Sequence, residues 1–280
     1  DLKKYNEVLT GFSVVSKIPV VEYDMKKDAD RGKKIFEVIR SKKPAIVLAI
    51  GPAAANMARK ELTDIPVVFV MVPNIEKYNL TADHITGISL QFPLKVQLAT
   101  LKTFLPKMRN VGVLYNPKYS KDMFEKAQTA ATEMGLNLVP SMVDDPDEVP
   151  SAIGTFAGKV DAVWMISDQT VTTPAAVTAI TKWTNDNRIP FFATGKKAVK
   201  RGALASLSPD YAAIGQQAGR LANQIITQKL PPKTIPIAEP EGLSIAMNLS
   251  TARRLGDACN MALDIFTFAA TQGYPIKVYK

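Results

Sequence analysis

The 280-residue chain holds one cysteine, Cys259, and one histidine, His84. That scarcity excludes a disulfide framework, a four-ligand zinc site and a two-cysteine redox motif, each of which needs several such ligands together. Long apolar runs are missing as well. Residues 45–50 and 67–72 are among the longest, far short of the roughly 20 residues that cross a bilayer. No G-x-x-x-x-G-K-[ST], G-x-G-x-x-G or G-x-S-x-G occurs, which removes the common phosphate cradles and the nucleophile elbow. Positive charge is in excess, with 35 basic against 26 acidic residues and a formal net charge of +9. It is nevertheless dispersed in doublets such as Lys33-Lys34 and Lys200-Arg201, a solvated surface rather than a nucleic-acid stripe. No cofactor, metal or nucleic-acid partner is expected. His84, beside Asp83, reads as an exposed loop histidine. Cys259, near Leu255 and Phe266, reads as a small core residue. Trp164 and Trp183, the only tryptophans, sit in apolar runs and read as core.

What is present is a strand–helix alternation, the pattern of parallel sheets covered on both faces. Residues 19–24, 45–51, 66–72, 110–116, 137–143, 160–167 and 190–194 are short β-branched or aromatic runs bounded by Pro, Gly, Asn and Asp. Most are continuously apolar, as strands buried on both faces should be. Helical stripes lie between them. Met123, Phe124, Ala127, Ala130, Ala131 and Met134 form one face, and Leu94, Leu98, Leu101 and Leu105 another. Three extended segments break the alternation, at 85–92, 202–208 and 243–248. Ser208-Pro209-Asp210 opens a helix that runs to about residue 228, with Ser208 read as its cap. Gly215 and Gly219 are read as letting that helix pack closely on a sheet.

The expected fold class is α/β, with two Rossmann-like lobes of parallel sheet joined by three hinge crossings. One lobe takes residues 1–90 plus 208–238, the other 91–207 plus 239–280. The first stripe, Leu2, Tyr5, Val8, Leu9 and Phe12, makes the numbered chain open on a helix where a βα alternation opens on a strand. The expectation is that this strand, like any export signal, precedes residue 1. Small-angle scattering should report compaction on ligand binding if such lobes close about their crossings.

Open parallel sheets bind ligands at strand ends and helix starts, and those positions carry the candidate site residues. Gly51, Pro52, Ala53 and Ala54 turn from a strand into a helix whose free N–H groups suit a carboxylate; the same residues also serve simply as a turn. Pro73 and Asn74 end the next strand. Tyr115 and Asn116 end another, followed by Ser120, read as the cap of a helix beginning at Lys121. Asp168 and Gln169 follow the apolar run 162–166, where an acid either accepts an ammonium group or makes an ordinary turn. Thr194 ends a further strand. No nucleophile–base pair accompanies them.

The ordered landmarks carry a resemblance. They are Leu2-x-x-Tyr5 with Gly11-Phe12, Ala49-Ile50-Gly51-Pro52-Ala53-Ala54, Ile65-Pro66-Val67-Val68-Phe69 and Ile85-Thr86-Gly87-Ile88-Ser89. Val111-Gly112-Val113-Leu114-Tyr115-Asn116-Pro117, Gly202-Ala203-Leu204-Ala205-Ser206 and Asn248-Leu249-x-Thr251-Ala252-x-x-Leu255-Gly256 follow. Together they resemble the ABC transporter substrate-binding protein family with tryptophan- and tyrosine-type members, over residues 1 to about 256. The resemblance implies the type I periplasmic-binding fold, an exported and possibly lipid-anchored monomer, a small-molecule ligand such as an aromatic amino acid, an ABC permease as partner, and no catalysis. It carries over to Gly51–Ala54, Pro73, Asn74, Tyr115, Asn116, Ser120, Asp168 and Thr194. Two features depart from it: Pro73-Asn74 stands where many members carry Asp-Pro, and residues 257–280 add a helix and tail without counterpart. Two other functions share the fold class. One is an enzyme of the racemase or phosphatase kind using Asp168; the other is the sensing core of a regulator, which needs a DNA-binding module ahead of the first lobe.

Overall fold

A computed structural model describes residues 2–73, 75–90, 93–256 and 258–280. The chain divides into two compact units, Asp1–Phe92 with Pro209–Gly242, and Pro93–Ser208 with Leu243–Lys280. No helix among the described residues is long and apolar enough to cross a membrane.

The first unit contains α1 (Leu2–Val15), α2 (Ala29–Lys42), β1 (Val47–Ile50), α3 (Pro52–Glu61), β2 (Val67–Val72) and β3 (Ile85–Ser89). A helix from the later segment, α9 (Tyr211–Gln228) in chain order, joins them. The strands form a parallel sheet in the order β1-β2-β3. All six residues of β2 are buried, which is why its sequence shows no polar alternation. Val67 and Phe69 pack with Phe36 and Ile39 of α2 and Ala55 and Ala58 of α3. Val68 and Val70 point to the other face, against Val8 and Phe12 of α1 and Ile214 and Ala218 of α9. Asp28 caps α2 by accepting from the backbone N–H groups of Asp30 and Arg31. The Arg31 N–H chiefly holds its carboxyl below the usual aspartate range.

Three expectations are corrected in this unit. Residues 19–24 form no strand: the run has no regular secondary structure and is exposed, with Val21 69% and Tyr23 39% accessible. Its β-branched residues favour extended backbone, but a strand also needs a neighbour, and none among the described residues pairs with it. The cap of α9 is Asp210, whose side chain accepts from Ala212 and Ala213 N–H, and Ser208 lies inside a strand instead. Gly215 also packs against a helix rather than a sheet, because a Cβ there would sit 2.0 Å from the Val8 carbonyl oxygen of α1.

In the second unit, α4 (Leu94–Phe104), β4 (Asn110–Tyr115), α5 (Pro117–Glu133), β5 (Asn137–Met142), α6 (Val149–Gly154) and β6 (Ala162–Trp164) come first. Then follow α7 (Pro174–Asp186), β7 (Phe191–Ala193), α8 (Lys196–Lys200) and β8 (Ala205–Pro209). After the excursion through α9 the chain returns as β9 (Leu243–Asn248), α10 (Leu249–Leu255), α11 (Ala258–Gln272) and β10 (Ile276–Tyr279). The sheet order is β10-β9-β8-β7-β6-β4-β5. The body is parallel, whereas β9 runs against β8: Asn248 N–H donates to Leu204 O, and the Ser208 hydroxyl to Ser244 O. An antiparallel edge on a parallel sheet is common. The tail is part of the fold, since β10 extends the sheet beyond β9 and Phe268 of α11 meets the Phe104 ring edge-on at 5.7 Å. The side chain of Cys259 lies outside the described residues.

Candidate functional site

At the carboxyl end of β1 the chain turns through Gly51 at φ 90° into α3. Glycine adopts this left-handed backbone without strain, and a second reason holds it there: a Cβ would come 2.9 Å from the Tyr5 hydroxyl. No side chain caps α3, and Pro52 at its first position has no N–H. Ala55 N–H bonds to Gly51 O, which leaves the N–H groups of Ala53 and Ala54 as open donors at the positive end of the helix dipole. Ala53 is exposed, Pro52 and Ala54 half-buried. The half-buried Tyr5 hydroxyl adds a donor at this turn. In the sequence Tyr5 stands out only as part of the first helical stripe and as a landmark of the resemblance; a pattern cannot show that α1 brings it to a turn some 45 residues on.

The neighbouring edge is irregular. Register between β2 and β3 slips between Phe69 and Val72, and Met71 has φ 63°, a strained backbone for a non-glycine residue. The bulge redirects the strand end toward the exposed Pro73. Asn74 lies outside the described residues.

In the second unit the strand ends are tied to one another more than expected. Asp168 is only 3% exposed. Its Oδ2 accepts from Asn116 N–H at 2.8 Å, and Oδ1 from Thr170 N–H at 2.7 Å and Val171 N–H at 3.2 Å. Of the two readings open for Asp168, these bonds are those of the turn: the carboxylate holds the loop after β6 to the end of β4. Asn116 is occupied too. Its Oδ1 accepts from Lys118 N–H, and its Nδ2 donates to Asp144 O and to the Thr170 hydroxyl. It caps α5, which begins at Pro117 rather than Lys121. Ser120 is not that helix's cap. It is a buried, non-helical residue at φ −135° inside a kink, and its N–H donates to Asn116 O.

Tyr115 stacks on Phe124 at 4.5 Å with rings 3° from parallel. Burial, assisted by the Glu125 charge, holds its hydroxyl above the ordinary phenol range, so the group stays a neutral donor. Gln169 and Thr194 are exposed, and the Thr194 hydroxyl lies 3.7 Å from Met165 Sδ. The landmark residues Asn248 and Thr251 are structural: Asn248 Nδ2 donates to Val199 O and Thr251 Oγ1 to Gly202 O. His84 departs from its expected exposure. It is half-buried, with Nε2 enclosed and unpartnered. No group of three His, Cys, Asp or Glu suited to a metal occurs among the described residues.

Parallel α/β units with an uncapped helix start at a strand end belong to the class of binding folds that take small ligands at those ends. The chain belongs to the ABC transporter substrate binding protein family, whose model matches residues 14–265. It is 24% identical over 253 residues to a tyrosine-binding protein of Clostridioides difficile strain R20291, covering 88% of this chain and 72% of the relative. A ligand-free, open structure of a substrate binding protein with adhesive properties from Clostridium difficile superposes with a TM-score of 0.81 at 23% identity, over 91% of this chain and 92% of the other. A Streptococcus pneumonia ABC domain in complex with L-Trp gives a TM-score of 0.59 at 21% identity, over 90% and 91%. The fold is that of the type I substrate-binding proteins.

Proposed function

We propose that this protein is the extracytoplasmic binding component of an ABC importer, that its ligand is an amino acid with an aromatic side chain, and that it presents the ligand to a permease without chemical change. One observation supports this most strongly: the uncapped start of α3, where the open Ala53 and Ala54 N–H groups and the Tyr5 hydroxyl form a receptor for a carboxylate. The tyrosine-binding relative and the L-Trp complex favour aromatic amino acids. In the second unit, taken by itself, the Tyr115 hydroxyl, Ser120, Gln169 and Thr194 remain as polar strand-end candidates. Asn116 and Asp168 act through them by fixing the strand ends.

A thermal-shift screen of L-tyrosine, L-tryptophan, L-phenylalanine and non-aromatic amino acids tests the reading. A ligand at 100 times its Kd adds about 2.7 kcal/mol, and the aromatic amino acids are expected to give the largest shifts. No shift from any amino acid would remove the proposal. Tyr5→Phe should weaken the best binder about ten- to hundredfold, the worth of a hydrogen bond to a charged group at roughly 1.5–3 kcal/mol. The melting point without ligand should stay near wild type. Equal affinity in calorimetry would place the carboxylate elsewhere.

A further inference from the structure

The second unit gathers positive charge along one end of its sheet. Over the five adjacent strands β9-β8-β7-β6-β4, each carries basic residues at that end. Lys107 and Arg109 stand before β4, Lys159 before β6, Arg188 before β7, and Lys200 with Arg201 before β8. Because β9 runs the other way, the residues that follow it, Arg253 and Arg254 of α10, come to the same end. Side-chain bonds fix this junction: Thr251 Oγ1 and Asn185 Nδ2 both donate to Gly202 O, and Arg254 Nη2 donates to Asn185 Oδ1 at 3.4 Å. Two doublets far apart in the sequence are thereby neighbours. At the other side Asp161 Oδ2 accepts from the N–H groups of Arg109 and Asn110, both at 2.8 Å, which ties the start of β6 to that of β4. With strands about 4.8 Å apart, the row runs for roughly 19 Å.

All of these basic side chains are exposed, and none is ion-paired among the described residues. The acids among the described residues of the same loops are already engaged, Asp161 as above and Asp186 with Lys182 at 2.6 Å. The positive field is therefore uncompensated, and neighbours within about 10 Å reinforce one another at moderate ionic strength. No exposed aromatic side chain lies between the cations in these loops, so the row lacks the stacking platforms that hold a single-stranded nucleic acid. Cations on separate exposed loops fit a flat anionic surface, whose lipids diffuse to meet each charge. Tyr115, Gln169 and Thr194 stand at the opposite, carboxyl ends of β4, β6 and β7, so a contact along the row leaves them uncovered.

We propose that this end docks the second unit on a bilayer rich in anionic lipid, through the headgroup phosphates. That a bilayer is within reach rests on the importer reading above; the docking itself needs no amino acid, so the two are tested apart.

Co-sedimentation with vesicles of phosphatidylcholine alone, and of phosphatidylcholine with about 30% phosphatidylglycerol, tests the proposal. Binding is expected to the anionic vesicles only, and its loss in about 1 M salt, where charges are screened beyond roughly 3 Å. Lys200→Gln with Arg253→Gln should weaken it about thirtyfold, since each cation near such a surface is worth about fivefold. Lys34→Gln with Lys126→Gln, exposed on α2 and α5, makes the same change in net charge and should weaken it less than about threefold. Both double variants should melt like wild type and give the same thermal shift with the best amino acid, which separates failure here from failure of the importer reading. Absence of binding to the anionic vesicles at low salt would overturn the proposal. Equal weakening by the two pairs would also overturn it, by making net charge the cause. Binding to a single-stranded oligonucleotide that is tighter than to the vesicles, and lost in Lys200→Gln with Arg253→Gln, would give the row to a linear polyanion instead.

Discussion

Asp168→Ala is expected to lower the melting temperature of the unliganded protein by about 8–15 °C. The carboxylate is buried and accepts from three backbone N–H groups, those of Asn116, Thr170 and Val171. Alanine orphans all three, and an unsatisfied buried donor costs about 1–3 kcal/mol. Water entering the vacated volume recovers part, which leaves about 3–5 kcal/mol. For a unit of this size each kcal/mol moves Tm by about 2–4 °C. Asp168→Asn should fall between, because its amide oxygen still accepts while its NH2 faces an N–H it cannot serve. The order wild type, Asn, Ala in thermal melts is the expected outcome. A melting point unchanged in Asp168→Asn, together with a tenfold or larger loss of affinity, would instead make Asp168 a ligand contact and return the site to the simpler arrangement its position in the sequence suggests.

That contrast shows what the sequence made legible and what it hid. The strands β2, β4 and β6 could be read because burial on both faces leaves an apolar run in a single short segment. Helices α1, α5 and α9 could be read because each has one apolar stripe. Asp168 and Asn116 were visible as polar strand ends, but their partners were not: the bond between them spans 52 positions, and no local pattern records it. Residues 19–24 failed for a related reason, since pairing depends on a neighbour rather than on composition. The reversal of β9 was hidden because direction leaves no mark on an apolar run.

The contact between α1 and α9 is the other feature the sequence half revealed. The small residues on α9 announced a close approach, but to a sheet rather than to the helix that they meet. A Cβ at Gly215 would sit 2.0 Å from Val8 O, and one at Gly11 2.0 Å from Ala212 O. Both obstacles are backbone carbonyls, which cannot rotate aside, so alanine at either position forces the helices apart and loosens Val8 and Phe12 against the sheet. Overpacking of this kind costs about 1–3 kcal/mol and occasionally more. The gain from replacing a helical glycine by alanine is about 0.5–1 kcal/mol, so the clash wins.

Gly215→Ala and Gly11→Ala are each expected to lose about 2–3 kcal/mol, measured by denaturant unfolding. Gly154, the last residue of α6 with open space around it, provides the control: Gly154→Ala should be neutral or gain about 0.5 kcal/mol. The double substitution at 11 and 215 separates this account from generic damage. Both alanines press on the same interface, so once the first has moved the helices apart the second meets less resistance, and the double loss should fall short of the sum by 0.5 kcal/mol or more. Strict additivity would mean the two glycines act at independent sites, and stability at or above wild type in Gly215→Ala would mean the helices are not in contact there.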